Sequence, residues 1–385
     1  MKTSVINRFT PWEISSWFTR ATLFVGVGTL IWLGAFPASR AVTPPPDGGY
    51  ANENTAEGTD SLLALSTGSG NTALGYEALH AVTTGNDNTA TGANALFFNT
   101  IGGDNTATGA FALLNNTTGN ANTATGSLAL ELNTTGSNNT ATGYNALLKN
   151  STASNNTATG YSALYSNTTG TDNTAHGANA LYSNTTGNRN VANGSSALYS
   201  NQTGIDNTAT GVNALYANTG NYNTATGYQA LESNTTGSNN TAHGLDSLNV
   251  NTTGSNNTAN GAYTLFNNLG GNANTAEGYL ALHENTSGID NTALGTSALY
   301  GNTTGSFNIG IGSGAGFLLT TGSNNIDIAN LGAAGESGII RIGTAGTQTA
   351  AYIAGIKGVP VTGAPVVVSS TGQTHNFVLV PVHGH

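Results

Sequence analysis

The chain has 385 residues, a formal net charge of −10, no cysteine and only 7% charged residues. Glycine fills 53 positions and Asn and Thr are at least comparably common, a bias that implies low-complexity disorder or a repeat fold and argues against an ordinary compact enzyme. Without Cys, disulfides and thiolate metal sites are excluded. Four of the eight basic residues (Lys2, Arg8, Arg20, Arg40) lie at the start, so the remainder is more acidic still; no nucleic acid partner is expected, because phosphate binding needs clustered Lys and Arg.

Residues 1–41 read as an export signal. Basic residues flank the uncharged run ATLFVGVGTLIWLGAF from Ala21 to Phe36, and Ser39 and Ala41 fit a small-residue cleavage site, with cutting after Ala41. An uncleaved anchor is the alternative, but the run falls short of the roughly 20 residues that span a bilayer. Cleavage would leave a secreted or cell-surface protein. Residues 42–53 form a spacer that Pro44, Pro45 and Pro46 make stiff and extended.

From Asn54 the triplet NTA recurs every 17 residues, at Asn71, Asn88, Asn105 and onward to Asn291, with one residue lost between Asn207 and Asn223. Degenerate copies follow at Asn308 (NIGIG) and Asn325 (NIDIA). Disordered sequence has no reason to keep such a register, whereas a stacked structure does. The consensus is N-T-A-T-G-x-x-A-L-x-x-N-T-T-G-x-x. With Asn as position 0, position 2 is Ala from Ala56 to Ala293, position 4 is Gly from Gly58 to Gly312, and position 8 is Leu from Leu62 to Leu299. A repeat this short cannot hold a helix pair and fits one coil of an all-β solenoid, a parallel β-roll over 54–307 with a strand-rich connector over 308–358 and a tail over 359–385. Alternation puts Asn and Ala inside and the two Thr outside. Glycines at positions 4 and 14 are expected to supply positive φ at the corners. Stacking at strand spacing gives roughly 80 Å for seventeen coils.

Further columns bear on function. Asn at position 0 can form an amide ladder or serve its own turn, and both roles are expected. Position 9 is aromatic in Phe97, Tyr165, Tyr182, Tyr199, Tyr216, Phe266 and Tyr300. Tyr165, Tyr182, Tyr199 and Tyr216 occupy consecutive coils and predict a stacked file, read as a seam against a second chain in preference to a sugar-stacking strip. Thr-x-Thr recurs in five consecutive coils at Thr89/Thr91, Thr106/Thr108, Thr123/Thr125, Thr140/Thr142 and Thr157/Thr159. Glu57, Leu74, His176, Asn193, His243, Asn260, Glu277 and Leu294 interrupt the outer column elsewhere.

Repeats such as NNTATGYNALLKN and NNTATGYSALYSN resemble the YadA-like head repeats of trimeric autotransporter adhesins. There an Asn-x-x-Ala-x-Gly motif recurs once per coil of a left-handed parallel β-roll, and three rolls associate. The register also resembles bacterial and phage fibre proteins of the endosialidase-chaperone type. The likeness covers Asn54 to about Asn325 and implies a homotrimer. It does not extend to a chaperone domain or a membrane anchor: no ionisable Lys, Arg, Asp or Glu follows Lys357 to pair with Ser369 or Ser370 in a self-cleavage dyad, and no amphipathic strand set for an outer-membrane barrel appears. After Asn308, the segments IGIG, NIDIAN, GIIRIG, TAAYIAGI and PVVVSS read as short strands.

Chemistry-bearing residues are sparse. His176 and His243 share position 3 but lie four coils apart, about 19 Å at strand spacing. His80 and His283 share position 9, farther apart still, and His383 and His385 read as tail. Asp87 and Asp104 are neighbours in one column, where turn capping is favoured over a calcium site that wants several oxygens. No paired carboxylates sit across a cleft. No metal, cofactor or catalysis is expected. Two readings remain: a secreted or cell-surface structural and adhesive rod that contacts a surface or polymer, and an ice-binding protein that uses the Thr-x-Thr arrays.

Overall fold

The computed structural model describes residues 50–348. The expected signal over 1–41, Pro44 to Pro46, the segments TAAYIAGI and PVVVSS, and the tail over 359–385 lie outside the described residues. Within the described residues the chain is an all-β solenoid. Eighteen three-residue strands run from β1 (Thr55–Glu57) to β18 (Ile340–Ile342), each paired in parallel with the next in one sheet. The register is residue for residue: in β7 (Thr157–Thr159), Ala158 pairs with Ala141 on one side and Ala175 on the other.

The strands from β1 to β16 are short because Gly at position 4 ends each one. Gly160, at φ +135°, carries no side chain because a Cβ there would lie 2.5 Å from the carbonyl oxygen of Gly177 in the next coil. Backbone pairing nevertheless continues round the coil. Ser162 N donates to Tyr144 O (2.9 Å), Leu164 N to Ala180 O (2.9 Å), Ser166 N to Tyr182 O (3.0 Å) and Thr168 N to Thr185 O (3.0 Å). Each coil therefore satisfies its backbone on the coils before and after it.

The expected apolar columns are inside. Ala at position 2, Ala at position 7 and Leu at position 8 are fully buried through nearly the whole stack. The rest of the interior is polar. Asn at position 0 and Asn at position 11 are also buried, from Asn71 to Asn308 and from Asn99 to Asn302. Asn156 shows the pattern for position 0: its Nδ2 donates to Asn139 Oδ1 (3.3 Å) and to Gly170 O of its own coil (2.9 Å), while its Oδ1 accepts from the Asn173 backbone (3.0 Å) and Asn173 Nδ2 (3.2 Å). The amide thus links coils and closes its own coil, so both expected roles operate. Position 11 forms a second ladder, in which Asn150 Nδ2 donates to Asn133 Oδ1 (2.8 Å) and Ala153 O (2.9 Å). Two saturated amide columns let a thin coil fill much of its interior with paired polar groups.

One expectation is corrected. Position 14 glycines are not in the left-handed region; they are small because a Cβ on Gly170 would meet the Gly187 carbonyl oxygen at 2.3 Å. The left-handed corners lie at positions 6, 8 and 16 and are carried by residues with side chains, such as Ser162 (φ 51°), Leu164 (φ 52°) and Asn155 (φ 63°). Asn and Asp at position 16 tolerate that conformation. Leucine does not, at a cost of order 1–3 kcal/mol. Burying the same side chain returns about 1.5–3 kcal/mol, and the inter-coil hydrogen bond of its backbone fixes the corner.

The single register slip is absorbed at position 13. In the coil from Asn207 the Thr-Thr corner is reduced to Thr219, which still donates its backbone N–H to Thr235 O (2.8 Å), and Gly220 O still accepts from Asn207 and Asn218 (3.0 and 2.9 Å). The strands β10 (Thr208–Thr210) and β11 (Thr224–Thr226) stay in register. The stack then runs past the regular repeats through β16 (Ile309–Ile311), β17 (Ile326–Ile328) and β18, where the spacing shortens to Ile326↔Ile340.

Candidate functional site

The ten Thr-x-Thr residues share one outward face of the sheet. In the strands from β3 (Thr89–Thr91) to β7, the central Ala is buried and the Thr on either side point outward. Thr89, Thr106, Thr123, Thr140 and Thr157 are successive Cα partners, as are Thr91, Thr108, Thr125, Thr142 and Thr159. The face is thus a two-row lattice with spacings of about 4.8 Å along the stack and about 6.7 Å across each strand. Its outer row is bounded by Leu74 and by His176.

A second threonine column behaves differently. At position 12, Thr100 Oγ1 donates to Thr117 O (3.1 Å), Thr117 Oγ1 to Thr134 O (3.0 Å) and Thr134 Oγ1 to Ser151 O (2.9 Å). Those hydroxyls are structural. Among the described residues, none of the ten hydroxyls of the outward face is hydrogen-bonded within the chain, so this face keeps its donors and acceptors for solvent or a ligand.

The tyrosine file forms as expected. Tyr165, Tyr182, Tyr199 and Tyr216 stack with centroids 5.0, 5.2 and 5.0 Å apart and planes within 6° of parallel. Each is half-buried, and burial among its neighbours raises the Tyr182 phenol above its ordinary value. Lys149 stands over the first ring, 5.0 Å from its centroid. This geometry weakens the sugar-strip reading, because each inner ring has both faces occupied by its neighbours and offers only an edge. A second file was missed in the sequence: Phe266, His283, Tyr300 and Phe317 stack at 5.4, 5.2 and 5.2 Å. All four share position 9, but the file is broken in sequence terms by a histidine at His283 and by the degenerate copy that holds Phe317.

Glu232 and Asn249 separate the two files. Asn249 Nδ2 donates to Asp246 Oδ1 (3.1 Å) and lies 3.4 Å from Glu232 Oε2. Burial first, then the Glu232 charge, hold the Asp246 carboxyl above its ordinary value. The sequence concealed this acidic pair because positions 6 and 9 of successive coils become neighbours only on stacking. Among the described residues no three His, Asp or Glu side chains gather at metal-binding distance, and no helix is long and apolar enough to cross a membrane. Asp87 and Asp104 each sit in a left-handed corner. The sequon asparagines of the Asn-Thr-Thr strings, such as Asn133, Asn167 and Asn184, are buried in the amide ladder, which explains the recurrence of the string without reference to glycosylation. No protein-family model, curated protein or solved structure matches the chain.

Proposed function

We propose that the chain is an exported, non-catalytic structural rod that meets a surface or polymer through its outward threonine face. The reading is carried by one observation: ten outward hydroxyls in fixed register, uncommitted inside the chain, beside a second threonine column whose hydroxyls are committed. A rigid periodic array suits a partner that is itself periodic, and each added coil contributes the same small interaction, so binding grows by multivalency. Particles of insoluble polysaccharide should retain the protein, and changing Thr108, Thr125 and Thr142 together to Lys should lower retention at least tenfold without altering the circular dichroism spectrum. Equal retention of the variant would remove the face from this role.

Ice binding is the second reading, favoured by the same unbroken lattice of five Thr-x-Thr strands. Thermal hysteresis separates the two. A freezing-point gap that grows with concentration and vanishes in the triple Lys variant would assign the face to ice, while its absence alongside particle binding would assign it to polymer.

Association into a homotrimer belongs to the same proposal. A coil that buries two Ala and one Leu has a small apolar core, for which oligomerisation is a common supplement, and the half-buried ring edges of Tyr165, Tyr182, Tyr199 and Tyr216 provide a seam. The resemblance to adhesin heads points to three chains. Light scattering coupled to size exclusion should then give three chain masses, and Tyr182→Asp with Tyr199→Asp should lower that mass, whereas Asp at Thr140 and Thr142 should not. A single-chain mass over a wide concentration range would end this part of the proposal.

A further inference from the structure

The position 2 column ends in charge. After fifteen alanines it continues as Gly310, Asp327 and Arg341, which are successive Cα partners in β16, β17 and β18. Asp327 has no exposed surface, and among the described residues neither of its carboxylate oxygens has a hydrogen-bond partner. It fits because its neighbours are small: a Cβ on Gly332 would lie 2.8 Å from Asp327 Oδ2, and one on Gly316 would lie 3.4 Å away. Arg341 stands in register above it but donates from Nη1 to Glu336 Oε1, which also accepts the Ala333 N–H at 2.9 Å.

The elements round the carboxyl leave few groups to answer it. The strand before it presents Gly310, the 314–319 turn presents Gly316 and Leu319, the 330–336 segment contributes Glu336, and β18 contributes Arg341. Glu336 and Arg341 are the charges that act on it, with opposite sign. A buried carboxylate without a partner disfavours the state that buries it. In a solenoid each coil contacts only its neighbours, so the last described coil can open without disturbing the coils before it.

We propose that Asp327 is a proton-operated latch for the last described coil: with the carboxyl neutral, residues 330–342 close on the stack, and with it ionised they open while the preceding coils stay folded. Opening separates β18 from β17, whose backbone it pairs in the closed state. Burial, reinforced by Glu336 and partly offset by Arg341, raises the carboxyl from 3.8 to about 6. The closed coil therefore holds the proton more tightly than the open coil. Closure is fully favoured below the ordinary carboxylate value, weakens as pH rises from about 4 to about 6, and loses nothing further above that.

Hydrogen exchange of the full-length protein, corrected for intrinsic rates, tests this between pH 4.5 and 8. Protection over 330–342 should fall about thirtyfold across that range, while protection over 123–160 stays constant. Asp327→Asn should keep the high protection at every pH. A flat wild-type profile, or an Asp327→Asn variant that follows the wild type, would overturn the latch. Should the Asp327→Asn change leave the coil open throughout, Asp327→Ala, which restores the residue this column uses elsewhere, is decisive: a closed, pH-independent coil supports the latch, and an open one shows Asp327 to be structural and ends it.

Discussion

Replacing Ala158 with Asp is expected to break the solenoid near its middle. Ala158 has no exposed surface and sits between Ala141 and Ala175 at Cα-partner distance. An Asp side chain there would enter a column lined by Ala, Leu and amides already saturated by one another, so its charge would find neither water nor a partner. The cost is of order 3–5 kcal/mol, a large part of the stability that couples one block of coils to the next. The natural Asp327 marks the conditions under which the same column accepts a carboxylate: a shortened coil, Gly316 and Gly332 beside it, and Arg341 in register. None of these exists at Ala158. Two thermal transitions, or new protease cuts between coils 123–160 and 173–210, should replace a single cooperative melt. Lowering the pH should partly restore the fold, because a carboxyl forced above its ordinary value is neutral there and its penalty is lost. An unchanged melting profile would show that Ala158 does not face the interior.

Much of this architecture is written in the sequence because the solenoid repeats every contact. Fifteen alanines at position 2 and fifteen leucines at position 8 report the interior directly, and the Asn at position 0 reports the ladder. Thr89 to Thr159 could be placed on an outer face by alternation alone. What stayed hidden depends on the third dimension. The left-handed φ at Leu164 has no local signature, since leucine seldom adopts it and only the packing of the coil imposes it. Position 14 was assigned the wrong cause for the same reason: Gly170 is small because of Gly187 in the next coil, 17 residues away, and not because of its own dihedral. The Asp246–Glu232 pair and the stacking of His283 between Phe266 and Tyr300 likewise arise only when coils are superposed. The committed and free threonine columns, which bear most directly on function, are both written as Thr pairs in the repeat; only hydrogen-bond geometry tells Thr117 from Thr125.

The second ladder gives the other large expected effect. Asn150→Leu should destabilise the stack by about 3–5 kcal/mol, although leucine branches at the same atom with the same number of heavy atoms and the site is fully buried. Three hydrogen bonds disappear: Nδ2 to Asn133 Oδ1 (2.8 Å), Nδ2 to Ala153 O (2.9 Å), and the bond that Oδ1 accepts from Asn167 Nδ2 (2.9 Å). The loss of the bonds themselves is about 1 kcal/mol each, but the larger penalty falls on the partners. Asn133 Oδ1 and one Asn167 N–H would remain buried with those bonds unmade, while Ala153 O would keep the bond it accepts from Asn139 Nδ2 (2.9 Å). Burying leucine cannot offset this, since it does nothing for the groups left behind. The comparison that isolates the ladder is Thr142→Val, which removes a hydroxyl from the free outer face and should shift the melting midpoint little. Changing Asn133, Asn150 and Asn167 together to Leu should cost much less than three times the single change, because neighbouring changes remove both ends of a bond and orphan nothing between them. Additive losses in that series would mean that the amides act as independent turn caps, and the column would no longer be an axial element of the fold.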